Sequence, residues 1–139
     1  MATVFSAIIA GSIPGTFVWR DEICVAFLSI NPIAPGHTLV VPRAEVDHWI
    51  DLPADTVTHL HRVGQIIGKA QMRAFPCERI GTMIAGFEVP HTHLHVIPTR
   101  SMRDLSFANA AASISRDELD AAATALRGEL RRAGYTDVE

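Results

Sequence analysis

The chain has 139 residues, the length of one domain with one core, which argues against two independent domains. Hydrophobic residues make up 48% and charged residues 19%, a composition too apolar for a disordered chain. Twelve Lys and Arg against fifteen Asp and Glu leave a net charge of −3, so no overall positive field is available to hold a nucleic acid polymer, while a small anionic ligand stays open.

Residues 1–13 are largely apolar and the first charged side chain is Arg20. The run lacks the basic flank of a secretory signal. Gly11, Ser12, Pro14 and Gly15 break it well short of the roughly 18 apolar residues of a membrane span, so it reads as a folded element and no membrane partner is expected. Residues 16–19 and 23–30, rich in Val, Ile and Phe, read as two strands of a hairpin across the charged turn Arg20-Asp21-Glu22. After the turn cluster at 31–36, residues 37–41 predict a third strand that stops at Pro42.

From Asp51 to about Phe75 the period changes. Val57, Leu60, Val63, Ile67, Ala70 and Ala74 recur every three or four residues, as one face of a helix requires, with Asp51 as its cap. Gly64 and Gly68 each cost this helix roughly 1 kcal/mol relative to alanine, which implies a close approach by another backbone, either across a dimer or in packing on the sheet. Residues 80–85 and 91–97 predict two more strands, separated by Gly86 and Pro90 and ended by Pro98. Ser115-Arg116-Asp117-Glu118 has capping-box spacing, and Arg127, Arg131 and Arg132 precede Gly134, so a second helix is predicted over about 116–133. About five strands with short connections, plus two main helices that do not alternate with them, give an α+β class with an antiparallel sheet in a single domain, 1–139. Cys24 and Cys77 sit in no paired-spacing motif, which predicts free thiols and a cytoplasmic location.

Chemistry concentrates in His91-Thr92-His93-Leu94-His95-Val96. On a strand, alternate side chains share a face, so the three imidazoles line up roughly 6–7 Å apart while Thr92, Leu94 and Val96 face the other way. A row of rings whose nitrogens need partners is a poor way to fill a core. Two chemistries can use it. One is a metal site, although a catalytic zinc wants a third protein ligand and supporting carboxylates, and the only acid close in sequence is Glu88. The other is metal-free attack on phosphorus, with the middle ring as nucleophile and its neighbours orienting it and stabilising charge on the phosphoryl oxygens.

The run His91-Thr92-His93-Leu94-His95-Val96-Ile97 resembles the His-φ-His-φ-His-φ-φ signature of the histidine-triad (HIT) family of nucleotide hydrolases and transferases. Residues 5–14, the run Val25-Ala26-Phe27-Leu28 and residues 35–42 are similar to the corresponding HIT segments in the same order. The resemblance spans about residues 4–100 and leaves the last forty residues without a recognised motif. It implies that His93 is the nucleophile, attacking an α-phosphate to form a nucleotidyl-histidine that water cleaves. It also implies that His91 and His95 flank His93, and that His37 is a fourth histidine orienting the site. An unprotonated attacking nitrogen requires the other ring nitrogen to donate to a fixed acceptor, a backbone carbonyl nearby. The resemblance maps a nucleoside pocket onto Phe5, Ile8, Ile13, Phe27 and Ile30, each of which composition would also allow as ordinary core.

Departures from the common phosphoramidate-hydrolase branch are specific. Ser29 stands where an acid or Asn holds the ribose, Phe87 and Glu88 replace a Gln-Ser pair before the triad, and Ile80 replaces an upstream Asn. Thr3 and Ser6 stand where some HIT proteins carry zinc-binding cysteines, and His48 with His91 cannot close a tetrahedral site. The resulting expectation is a homodimeric, metal-independent and cofactor-free hydrolase of a purine nucleoside 5′-phosphoramidate or related nucleotidyl conjugate. Ser29 and Glu88 are expected beside its substrate. The alternatives are a dinucleoside polyphosphate hydrolase and a nucleotide-binding regulator with weak catalysis.

Overall fold

The computed structural model describes residues 2–138. Strands run over Phe17–Arg20 (β1), Cys24–Leu28 (β2), Thr38–Pro42 (β3), Arg79–Met83 (β4) and Leu94–Thr99 (β5). They form one antiparallel sheet in the order β1-β2-β3-β5-β4. Helices run over Val4–Ala10 (α1), Ala54–Ala74 (α2) and Arg116–Arg132 (α3). The α+β class and the antiparallel sheet are therefore as expected. The apolar start adds a third, short helix, opened by the Thr3 hydroxyl accepting from the Ser6 N–H and closed by Gly11 at φ 85°.

Alternation along the strands divides the core into two. Cys24, Ala26 and Leu28 of β2, Val40 of β3 and Leu94 and Val96 of β5 pack on α2 and α3. Val25, Phe27, Leu39 and Val41 point to the opposite face, where Phe5 of α1 joins them. His93 and His95 alternate with Leu94 and Val96 and so fall on the α1 face.

Three local expectations are corrected. The fifth strand starts at Leu94, not His91, because Thr92 directs both its N–H (2.7 Å) and its hydroxyl (2.9 Å) to the carbonyl of Val46 instead of to a neighbouring strand. It also runs through Pro98 to Thr99. Pairing with β3 stops at Val96, so the N–H that proline lacks is not missed on that side. Asp51 does not cap α2; it ends a 3-10 turn at Trp49–Asp51, and Pro53 occupies the N-cap without a side-chain bond.

The glycines of α2 serve packing on the sheet. A Cβ at Gly64 would stand 3.0 Å from Leu94 Cδ2, and one at Gly68 3.3 Å from Ile80 Cγ2. One turn later the fully buried Gln71 donates to the carbonyls of Gly36 and Val96, each at 2.9 Å. This ties α2 to the turn before His37. Helix α3 is capped as predicted by Ser115 accepting from the Glu118 N–H. Its Arg127 donates twice to the Phe17 carbonyl, at 2.9 and 2.6 Å. Among the described residues, no helix is long and apolar enough to cross a membrane.

Candidate active site

The α1 face carries a cleft of about 520 Å³. Its floor is the end of β5, its near wall is α1 with β2, and its far wall is the segment that leads from β5 to α3. His37, His93 and His95 all line it. So do Phe5, Ile8, Ile13, Phe27, Ser29, Ile30 and Glu88. The pocket residues expected from the sequence therefore converge on one place, with Phe5 and Phe27 buried and Ile30 68% exposed at the rim.

Hydrogen bonds fix the tautomer of every ring in the row. His37 Nδ1 accepts from the Ile33 N–H at 3.0 Å, so the proton of the neutral ring sits on Nε2, which donates to His95 Nδ1 at 2.9 Å. His95 then carries its own proton on Nε2. His93 Nδ1–H donates to the His91 carbonyl at 2.7 Å, a bond that in the neutral ring puts the lone pair on Nε2. The carbonyl that a nucleophilic imidazole requires is thus supplied two residues upstream. The rings of His93 and His95 lie 5.0 Å apart at 66°, and Phe5 stands edge-on to His93 at 4.9 Å.

Burial keeps His37 and His95 neutral. His37 is driven down to about 4 by desolvation, assisted by repulsion from His93. His95 is driven down to about 3 by desolvation, then by repulsion from His37 and His93. At neutral pH the cleft therefore presents an N–H donor on His95 beside His93, with no fixed positive charge on that flanking ring.

His91 has a different place from the one expected of a flanking member. It is fully buried and does not line the cleft. Its Nε2–H donates to the Pro42 carbonyl at 2.8 Å, and its Nδ1 accepts from the Thr3 hydroxyl at 2.8 Å. Burial lowers its pKa, opposed by the Pro42 bond and by Glu45. Its backbone carbonyl, not its ring, meets His93. Ile80 is likewise away from the cleft, packed across from Gly68 on the α2 side, and Phe87 is 98% exposed. Sequence reasoning missed the far wall, which includes Asn31, Phe107, Ala110, Ala111, Arg116 and Leu119. Phe107 is a lone aromatic in an otherwise small and polar stretch, the only signal that was available.

Comparison with known proteins decides the family. Residues 10–102 match the model of the HIT domain, more than half of the chain. The chain belongs to the histidine-triad family. Among solved structures it is similar to a Zn-bound histidine triad family protein from Mycobacterium smegmatis, with TM-score 0.80, 30% identity and 96% of each chain covered. Among curated proteins it is 34% identical to a bis(5′-nucleosyl)-tetraphosphatase (asymmetrical) of Schizosaccharomyces pombe, over 84% of this chain and 66% of that one. It is 28% identical to an adenylylsulfatase of Arabidopsis thaliana, over 93% of this chain and 68% of that one.

Thr3 and Ser6, the positions weighed from the sequence as a zinc site, are otherwise engaged. The Thr3 hydroxyl is committed to His91, and the Ser6 hydroxyl donates to Glu45 Oε1 at 2.7 Å. Neutral hydroxyls are not the thiolate, imidazole or carboxylate ligands that hold structural zinc. Asp21, Cys24 and His59 also group ligand atoms. There the Asp21 carboxylate already takes hydrogens from the Trp19 indole and from two backbone amides, and meets His59 Nε2 at 2.7 Å.

Proposed function

We propose that this HIT protein hydrolyses a purine nucleoside 5′-phosphoramidate, or a closely related nucleotidyl conjugate, through a covalent intermediate on His93. The observation that carries this reading is the bare Nε2 of His93, held by a 2.7 Å bond from Nδ1–H to the His91 carbonyl and set beside the neutral donor His95. The nucleoside packs on Phe5, Ile8, Ile13, Phe27 and Ile30, its sugar beside Ser29. The His93 lone pair attacks the α-phosphorus, and the His95 Nε2–H stabilises charge on a phosphoryl oxygen. The N–P bond forms as the bond to the leaving group breaks, and the departing amine takes a proton from water. Attack of a second water releases the nucleoside monophosphate and a proton and restores His93. Glu88, on the cleft wall, stands near the leaving group.

The protein works as a homodimer in this reading. Edge strand β4 and the adjoining face of α2, with Met72 45% exposed, form the contact surface. The free thiols of Cys24 and Cys77 suit a cytoplasmic location.

Turnover of adenosine 5′-phosphoramidate tests the function. We expect His93→Gly to lose about three orders of magnitude or more in kcat, and brief mixing of wild type with substrate to trap a nucleotidyl adduct located on His93 by mass spectrometry. Undiminished turnover in His93→Gly, or an adduct elsewhere, overturns the mechanism. Faster cleavage of a dinucleoside tetraphosphate, the substrate type in the fission yeast relative's name, would move the substrate class. Tight binding with negligible rates in both proteins would make this chain a nucleotide-binding regulator.

A further inference from the structure

The cleft has two aromatic walls, and the histidine row lies between them. Phe5 stands edge-on to His93 at 4.9 Å; on the other side Phe107 stands edge-on to His95, also at 4.9 Å. Phe107 belongs to the segment between β5 and α3 and itself lies beyond the residues matched by the family model. This segment is fastened across the cleft. Asn31 Nδ2 donates to the carbonyls of Ala111 and Ala112 at 3.2 and 2.9 Å, and the Ala111 N–H returns a bond to the Pro32 carbonyl at 3.0 Å. Asn31 itself is set by its N–H donating to the Ser29 hydroxyl at 3.1 Å.

A phosphorus atom over His93 and His95 carries two substituents, the nucleoside and the leaving group. The nucleoside takes the Phe5 wall, which leaves the Phe107 wall to face the other. We propose that Phe107, with Ala110 and Ala111, is a leaving-group subsite that selects an apolar group, best an aromatic one, attached to the α-phosphorus. This rests on the reading of the cleft as a site of nucleotidyl transfer. The chemistry of the wall supports the choice. Phe107 is 37% exposed, an aromatic face left open where a ring can stack. The single cation among the cleft residues, Arg116, is already paired with Asp120 at 2.7 Å. A polyphosphate leaving group brings several negative charges to a wall whose one cation is shared with an exposed carboxylate, whereas an aryl or acyl group buries apolar surface on both sides.

Two non-hydrolysable analogues separate this inference from the reading beneath it. 5′-O-(N-acetylsulfamoyl)adenosine and its N-benzoyl counterpart share linkage and charge and differ only in methyl against phenyl. Calorimetric titration should find the benzoyl compound bound about tenfold more tightly by wild type. The advantage should fall within about twofold in Phe107→Ser and persist in Phe107→Trp, as expected for ring stacking. Asn31→Ala, which releases the strap from its other end, should reduce the advantage in the same direction. If the phenyl group confers no advantage on wild type, or Phe107→Ser keeps it, the subsite is wrong while the nucleotide reading stands. Failure of both analogues to bind removes the two together.

Discussion

The two faces of the sheet spend buried volume in opposite ways. Beneath α2 and α3 the interior is a continuous apolar layer, with Ile67, Leu94, Val96 and Leu126 at or near zero exposure. Beneath α1 the buried set includes His37, His91, His93 and His95, and stability there depends on the ring nitrogens turned away from the cleft finding partners. The apolar face needs only volume and contact, and it tolerates any conditions that keep water out. The histidine face needs particular tautomers and neutral rings, so it is exposed to acid and to the loss of single donors. The histidines thus sit where the molecule's stability is most conditional, and the apolar face carries the sheet on the other side.

Truncation on the apolar face should give the largest loss of stability. Leu126→Ala removes a fully buried side chain of α3 that packs with β1 and α2 residues, and should cost about 4 kcal/mol in denaturant unfolding. The folded fraction should keep its catalytic constants, since Leu126 does not itself line the cleft. A variant that unfolds at the wild-type midpoint, or that is fully folded but slow, would break the division between the faces.

Mild acid, between pH 7 and pH 5, should act mainly on the other face. His37 titrates at about 4 and His95 at about 3 in the folded chain, both below the free value of 6.5. Between those values the unfolded chain binds protons that the folded chain refuses, so stability is complete above about pH 6.5 and falls as pH falls. From pH 7 to pH 5 the two rings together should remove about 3 kcal/mol, measured by urea unfolding at each pH. His37→Gln should flatten part of this slope. An unchanged stability at pH 5 would mean that the rings accept protons in the folded state and that the neutral-row description is wrong.

The sequence made the sheet legible because alternation is a local signal: Val25, Phe27, Leu39 and Val41 point one way and Ala26 and Val40 the other. The triad was legible for the same reason, period two in His91-Thr92-His93-Leu94-His95. What it hid depends on contacts far apart in the chain. The withdrawal of the His91 ring from the cleft is decided by Thr3 and Pro42, and the far wall by Asn31 reaching Ala111 and Ala112. The start of α2 was misplaced because Asp51 offers good capping chemistry, yet Pro53 takes the position. Ile80 aligns with a polar site position but faces α2, so its strand contributes to packing and not to the cleft.

The smallest expected effect tests the most indirect link on the histidine face. The Thr3 hydroxyl does two things at once: it accepts from the Ser6 N–H at the start of α1, and it donates to His91 Nδ1. Thr3→Val keeps the shape and removes both bonds, leaving the Nδ1 lone pair of a fully buried ring without a donor. Cap and acceptor together should cost about 2 kcal/mol. Thr3→Ser keeps the hydroxyl and should restore most of it. Nitrogen chemical shifts of His91 distinguish this from a simple capping loss, because only removal of the hydrogen bond at Nδ1 moves the ring signal. If Thr3→Val weakens the helix while the His91 resonances stay in place, α1 is merely docked on the triad and does not help to hold it.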